Sequence, residues 1–177
     1  MPGFDNKVHH RRTIRLKEYD YSQAGAYFVT TCTRERKCLF GRVEEDQVRL
    51  NNNGRMVESV WENLPRQYPD IQLDVFVIMP NHIHGIIVLV GAGVPACPID
   101  GPAQRPAPTM SLPDIIHRFK SFTINQYMRA VSMTGQKNDT ATFWQRNYYE
   151  HVIRSEHELS LVRDYVVNNP LKWSLIV

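Results

Sequence analysis

Two hydrophobic periods alternate along the chain. Ala26-Tyr-Phe-Val-Thr-Thr-Cys-Thr33 is dense in β-branched and aromatic residues and predicts a strand. Residues 40–50 allow either a short connection or a minor strand. Met56, Val57, Val60, Trp61 and Leu64 recur at helical spacing, so an amphipathic helix is expected over about 53–64, ended by Pro65 and Pro69. Asp70 to Met79 and His82 to Val90 predict two strands. Pro80-Asn81 between them is turn chemistry, which makes the pair a hairpin. Residues 91–110 hold five of the eleven prolines and three glycines with little periodicity, and read as a long flexible loop. Ser111, with Asp114 in the following turn, caps a helix carrying Ile115, Ile116, Phe119, Phe122, Ile124 and Met128 to about residue 130. Residues 132–142 are polar loop. An aromatic-rich stretch from Phe143 to Arg154 predicts a strand near 148–154. Ser155-Glu-His-Glu158 is a capping-box pattern. It opens a helix bearing Leu159, Leu161, Val162, Tyr165 and Val166, which Pro170 limits.

The order β, α, β, β, α, β, α begins with the split βαβ, ferredoxin-like arrangement. The predicted class is therefore α+β: a four-stranded antiparallel sheet with helices on one face, plus a C-terminal helix carrying Tyr165. The other sheet face is expected to be free for binding. A chain of 177 residues suits one domain, taken as 23–173, behind a basic N-terminal arm of residues 1–22.

Composition adds limits. At 42% hydrophobic and 22% charged the chain is globular in type. A formal charge of only +3 carries little weight for nucleic acid, but its distribution carries more. His9-His-Arg-Arg12, Arg15 and Lys17 lie on the arm. Arg34, Arg36 and Lys37 follow the first strand, and Arg118, Lys120 and Arg129 lie on the 111–130 helix. Cys32, Cys38 and Cys97 form neither a zinc spacing nor an even disulfide set, which favours a reducing cytoplasm. There is no apolar run of membrane-spanning length and no signal core.

The candidate chemistry sits in the hairpin. Side chains in a strand alternate faces, so His82 and His84 point to one side and Ile83 to the other. Two adjacent imidazoles are half of a metal site, or else two half-exposed sheet histidines. On the last helix Tyr165 and Asn169 are four apart and are expected to share one face. A tyrosine hydroxyl is a possible nucleophile, and an Asn carbonyl can add a hard ligand to two imidazoles. Such an ion would polarise a phosphodiester beside Tyr165.

Met79-Pro-Asn-His-Ile-His-Gly85 resembles the histidine–hydrophobic–histidine signature of the single-tyrosine HUH transposases. Trp144-Gln-Arg-Asn-Tyr-Tyr-Glu-His-Val-Ile-Arg154 and Tyr165-Val-Val-Asn-Asn-Pro170 resemble the later blocks of their REP-associated branch. Tyr27-Phe-Val-Thr-Thr31 is similar to that family's first strand, so the likeness runs from about residue 20 to 173. The resemblance implies metal-dependent cleavage and rejoining of single-stranded DNA through a 5′-phosphotyrosine intermediate, on hairpin or palindromic repeat DNA. It implies Tyr165 as nucleophile, His82, His84 and Asn169 as metal ligands, magnesium or manganese as the ion, and no nucleotide cofactor. A monomer is favoured over a dimer. Arg11, Arg12, Arg15, Arg118, Lys120 and Arg146 are candidate phosphate contacts. Trp144 and Tyr148, with Tyr149 beside them, are candidate stacking surfaces for bases. His151 falls in a family-like block without an assigned role. The alternative is a catalytically silent module that grips hairpin DNA or RNA on the same fold.

Overall fold

A computed structural model describes residues 19–90, 110–134 and 143–174. The arm from residue 1 to 18 (with Arg11, Arg12 and Arg15), nearly all of the 91–110 loop, and residues 135–142 lie outside the described residues.

The element order is β1 (Gly25–Cys32), a 3-10 turn (Arg34–Arg36), β2 (Gly41–Glu44), β3 (Gln47–Leu50), α1 (Asn52–Glu62) and α2 (Leu64–Gln67). It continues with β4 (Ile71–Met79), β5 (His82–Leu89), α3 (Leu112–Thr134), β6 (Tyr149–Ile153), α4 (Glu156–Val167) and α5 (Asn169–Ser174). The main sheet runs β4-β5-β1-β6, and each neighbouring pair is antiparallel. This is the split βαβ order expected from the sequence.

The open stretch at 40–50 is a second, two-stranded sheet. β2 and β3 pair only with each other, across Glu45 and Asp46 at φ 49° and 59°. Two successive positive φ values define a tight hairpin turn normally signalled by Asn-Gly or Asp-Gly. Glu-Asp carries no such signal. Pro65 does not simply stop a helix; it sits in the first turn of α2, where its missing N–H costs nothing.

The helical face and the additional C-terminal helix are as expected, but the expectation of a free second face needs correction. Alternation along β5 sends Ile83, Ile87 and Leu89 into a core with Trp61 of α1 and Ile115, Ile116 and Phe119 of α3. Residues 84, 86 and 88 face the other way. There Ile86 and Val88 meet Ala26, Phe28, Ile153, and Leu159 and Val166 of α4. α4 therefore covers part of the second face and leaves the His82–His84 end open. Its docking depends on a bulge. Leu73 pairs with Ile87 but Phe76 pairs with Gly85, so β4 holds one extra residue there. The bulge presents Asp74 to Arg163 of α4, whose guanidinium grips both carboxylate oxygens. Gly85 belongs to the hairpin for a packing reason. A Cβ there would lie 2.6 Å from the Trp61 indole and 3.1 Å from Phe76 Cβ.

The last helix also departs from expectation. Tyr165 is in α4 and Asn169 opens α5, with Asn168 as the cap between them. Pro170 has no N–H to bond the Val166 carbonyl four residues back, so the helix breaks at Asn168, and as the second residue of α5 its missing donor costs nothing there. Tyr165 and Asn169 thus do not share one helix face, although both reach the same cavity.

Candidate active site

The β4–β5 turn is clamped from one side. The Asn81 carbonyl accepts from Thr33 N–H at 2.9 Å and from Thr33 Oγ1 at 3.0 Å, and the Pro80 carbonyl accepts from Phe40 N–H. Asn81 Nδ2 donates to the Arg36 carbonyl at 3.0 Å. That bond fixes the amide, so Asn81 Oδ1 faces His82 Nδ1 at 2.6 Å. His82 Nδ1 must then carry the proton, and its Nε2 presents a lone pair. Glu35 and Arg36, which deliver the carbonyl, sit at φ 57° and 54°. Consecutive non-glycine residues in that region carry backbone strain of about 1 kcal/mol or more each.

His84 is held similarly. Its Nδ1 lies 2.7 Å from Thr30 Oγ1, opposite it on β1. Phe28 stacks on the ring at 5.4 Å. The two Nε2 atoms converge to 3.0 Å. Burial pulls the His82 imidazole down to about 4, helped by the Arg36 charge and opposed by a hydrogen bond with Asn169. Burial, and then the neighbouring His82, pull His84 down to about 3. Both rings are therefore neutral at pH 7, the state a metal ligand requires.

Tyr165 completes the group. Its hydroxyl lies 3.5 Å from His84 Nε2, and Phe28 meets its ring edge-on at 5.9 Å. Asn169 is only 7% exposed, so its amide is committed to the interior beside His82. Thr30, Cys32, Arg36, Asn81, Lys172 and Trp173 join these residues around an open cavity of about 600 Å³.

Two imidazoles with an amide oxygen nearby fit a divalent ion, without selecting a hard one over zinc or nickel. Ligands about 2.1 Å from an ion and at right angles stand about 3 Å apart, the spacing of the two Nε2 atoms. The orienting oxygens of Thr30 and Asn81 on the far ring nitrogens are what metal-binding histidines use. Among the described residues no cluster of three His, Cys, Asp or Glu exists, and the Asn169 amide lies within hydrogen-bond reach of His82.

The candidate DNA contacts divide. Arg146 is exposed on the loop before β6. Arg118 is exposed on α3, with its guanidinium 5.7 Å from the Tyr68 ring centroid, in the helical layer beyond the sheet from the histidines. Trp144 is not a stacking platform. It is buried among Phe40, Phe119 and Phe143, and its indole N–H donates to Thr123 Oγ1 at 2.7 Å. Lys120 Nζ donates to the carbonyls of Gln145, Arg146 and Asn147 at 2.8, 3.4 and 3.1 Å, which uses all three donors and leaves none for a phosphate. Burial draws that ammonium down to about 8. Tyr148 packs against the core below it, whereas Tyr149 is exposed and meets Phe28 at 6.2 Å. His151 pairs with Glu158 at the start of α4.

Sequence reasoning did not single out Thr30, Asn81, Lys172 or Trp173 for the site. Asn81 is read as turn chemistry, and Thr30 is found only through β1–β5 register. Lys172 and Trp173 reach the cavity because Asn168 redirects the chain.

No protein-family model matches the chain. It is 39% identical over 174 residues to an uncharacterized protein of Haemophilus influenzae, covering 94% of this chain and 91% of that one. A second H. influenzae protein, provisionally named a REP-associated tyrosine transposase, is 24% identical over 159 residues, covering 89% and 76%. Among solved structures, a REP-associated tyrosine transposase bound to a REP hairpin shares the fold with a TM-score of 0.56 at 21% identity, over 89% of this chain and 74% of that one. A provisionally named transposase of Deinococcus radiodurans gives 0.50 at 16% identity, over 87% and 95%.

Proposed function

We propose that this chain belongs with the REP-associated tyrosine transposases, a reading supported by the 24%-identical Haemophilus relative and the shared fold, and that it cuts and rejoins single-stranded hairpin DNA. The observation that carries this reading is the meeting of three groups. The Tyr165 hydroxyl stands 3.5 Å from His84 Nε2, which stands 3.0 Å from His82 Nε2. A structural tyrosine has no need of two neutral imidazoles whose Nε2 atoms converge beside it.

The chemistry follows from the residues. A phosphodiester enters the open cavity with its phosphorus near Tyr165 Oη. Oη attacks in line, a new Oη–P bond forms, and the P–O3′ bond breaks. The Oη proton passes to solvent, and the departing 3′ oxygen takes one up. The products are a 5′-phosphotyrosine and a free 3′-hydroxyl. Attack by another 3′-hydroxyl reverses the step and restores Tyr165. One phosphodiester replaces another, so no nucleotide cofactor is needed. His82, His84 and Asn169 would hold magnesium or manganese, whose charge would polarise the phosphate and the leaving oxygen. Asn81 keeps His82 in the metal-binding tautomer, and Thr30 orients the His84 ring through Nδ1. Phe28 fixes the planes of His84 and Tyr165. REP-like hairpins are the first substrate to try, since a REP hairpin is bound in the structural relative.

The test is incubation with end-labelled hairpin DNA, with and without manganese, read on a denaturing protein gel. A metal-dependent adduct lost in Tyr165→Phe, with DNA binding retained, is expected. Tight binding without adduct across several hairpins would favour a binding module instead.

A further inference from the structure

We infer that Lys172 is a second catalytic side chain of this site, and that its ammonium binds a non-bridging oxygen of the phosphate that Tyr165 attacks. The inference rests on the strand-transfer reading above and adds to it a residue outside the histidine pair, the tyrosine and the asparagine.

Position comes first. Lys172 Nζ lies 4.9 Å from the Tyr165 ring centroid, and Lys172 lines the same cavity as His82, His84 and Asn169. It also lines a shallower cavity of about 380 Å³ with Leu161, Asp164, Asn168 and Leu171. Tyr165 and Lys172 are shared by both cavities. A strand crossing from one to the other must pass its backbone beside the tyrosine and the ammonium together.

Charge comes second. The lining of the main cavity contains two cations, Arg36 and Lys172, and no carboxylate. Arg36 acts on the His82 side, where its charge helps keep that ring neutral. Lys172 is the cation on the nucleophile's side. Among the described residues no ion pair engages it, so a phosphate meets an ammonium held only by an aromatic face.

The local fold explains the placement. The break at Asn168 starts α5 with Asn169 and Pro170, and Lys172 follows Asn169 by three residues, on the same helix side. The turn that delivers Asn169 to His82 thereby delivers Lys172 to Tyr165. As Oη–P forms and P–O3′ breaks, negative charge spreads over the non-bridging oxygens. An ammonium beside the Tyr165 ring stabilises that charge more than the ground state.

The experiment compares wild type, Lys172→Met and Lys172→Arg in single-turnover adduct formation. Two hairpins are used, identical except that one carries a neutral methylphosphonate at the scissile position. On the phosphodiester, Lys172→Met should slow adduct formation by about 100-fold, the loss expected for one charge-stabilising donor, and Lys172→Arg should recover most of it. On the methylphosphonate there is no anionic oxygen to neutralise, so the Lys172→Met defect should shrink to within a few-fold. An equal defect on both substrates would make Lys172 a support for the Tyr165 ring and overturn the inference. So would no defect on the phosphodiester. If wild type forms an adduct and Lys172→Met matches it, only this inference falls. If wild type forms none, the strand-transfer reading falls and takes this one with it.

Discussion

At the scale of single residues, the site is an exercise in fixing tautomers. A neutral imidazole has one lone pair, and which nitrogen bears it depends on what the other nitrogen meets. Asn81 settles this for His82 because its own amide is oriented by the Arg36 carbonyl. Thr30 holds His84 Nδ1 from across the sheet, and its hydroxyl can accept from that nitrogen when it carries the proton. Replacing these partners should weaken metal binding without removing a ligand. Thr30→Val and Asn81→Ala are each expected to lower manganese affinity by about 10- to 100-fold, the usual effect of losing an orienting partner. Isothermal titration with manganese would check this, with His82→Ala as the reference that binds no ion. Undiminished affinity in both variants would mean that the histidines are set by packing alone. The His82–His84 pair was legible in the sequence because strand alternation needs no knowledge of neighbours. Thr30 was not, since its role depends on register with β5. Trp144 and Lys120 looked like DNA contacts because aromatic and basic residues suit nucleic acid. The fold gives them partners at Thr123 and at three loop carbonyls.

At the scale of elements, the decisive piece is α4, which must be held against the sheet for Tyr165 to reach the histidines. Leu159 and Val166 bury one stripe against Phe28, Ile86 and Ile153. Ser155 caps the first turn by accepting from Glu158 N–H, a contact worth about 1 kcal/mol. Glu158 accepts from Arg154 N–H and pairs with His151, which ties the helix start to β6. The Asp74–Arg163 pair ties its middle to the β4 bulge. Burial pushes the Asp74 carboxyl up, but hydrogen bonds from Arg163 and Val75 N–H and the guanidinium charge outweigh it and leave the group below its ordinary value. A depressed folded value means stability that is full above the unfolded value and lost as pH falls through the folded one. The pair should therefore contribute unchanged from pH 5 to 8 and fade below about pH 4. Arg163→Met should cost about 0.5–1 kcal/mol at pH 7, and urea unfolding across pH 3–7 should show that difference closing on acidification. A difference constant with pH would place the energy in packing of the arginine stem. The sequence announced α4 through its capping box and apolar spacing. It did not announce the bulge, because one extra residue in β4 shows only once β5 is paired with it. The Tyr165–Asn169 relation also came out differently: a four-residue spacing predicts a shared face only within an unbroken helix, and Pro170 breaks it.

At the scale of the whole molecule, the chain brings the candidate nucleophile and the candidate metal ligands to one end of one sheet. β1 supplies Thr30, β5 supplies the histidines, α4 supplies Tyr165, and α5 supplies Asn169 and Lys172, all around one cavity. Among the described residues no membrane-length apolar helix intervenes. The split βαβ order makes this convergence possible. It places β5 and β1 at the sheet centre, where both faces are covered by the chain's own elements. On the proposed strand-transfer reading, a Tyr165 hydroxyl 3.5 Å from His84 Nε2 of the same chain predicts that a single copy can cut. The check is a mixing experiment with two inactive variants, Tyr165→Phe and His82→Ala. If each site is built from one chain, every site in the mixture lacks either its nucleophile or its ion, and no adduct should form at any ratio. If α4 is exchanged between two copies, some sites combine His82 of one variant with Tyr165 of the other. Adduct then returns to about a quarter of wild type in an equimolar mixture, the statistical share expected when two chains associate at random and each site draws on both. The first result also predicts an adduct rate per molecule that does not change with protein concentration. The second predicts a rate that falls on dilution below the association constant of the exchanged pair.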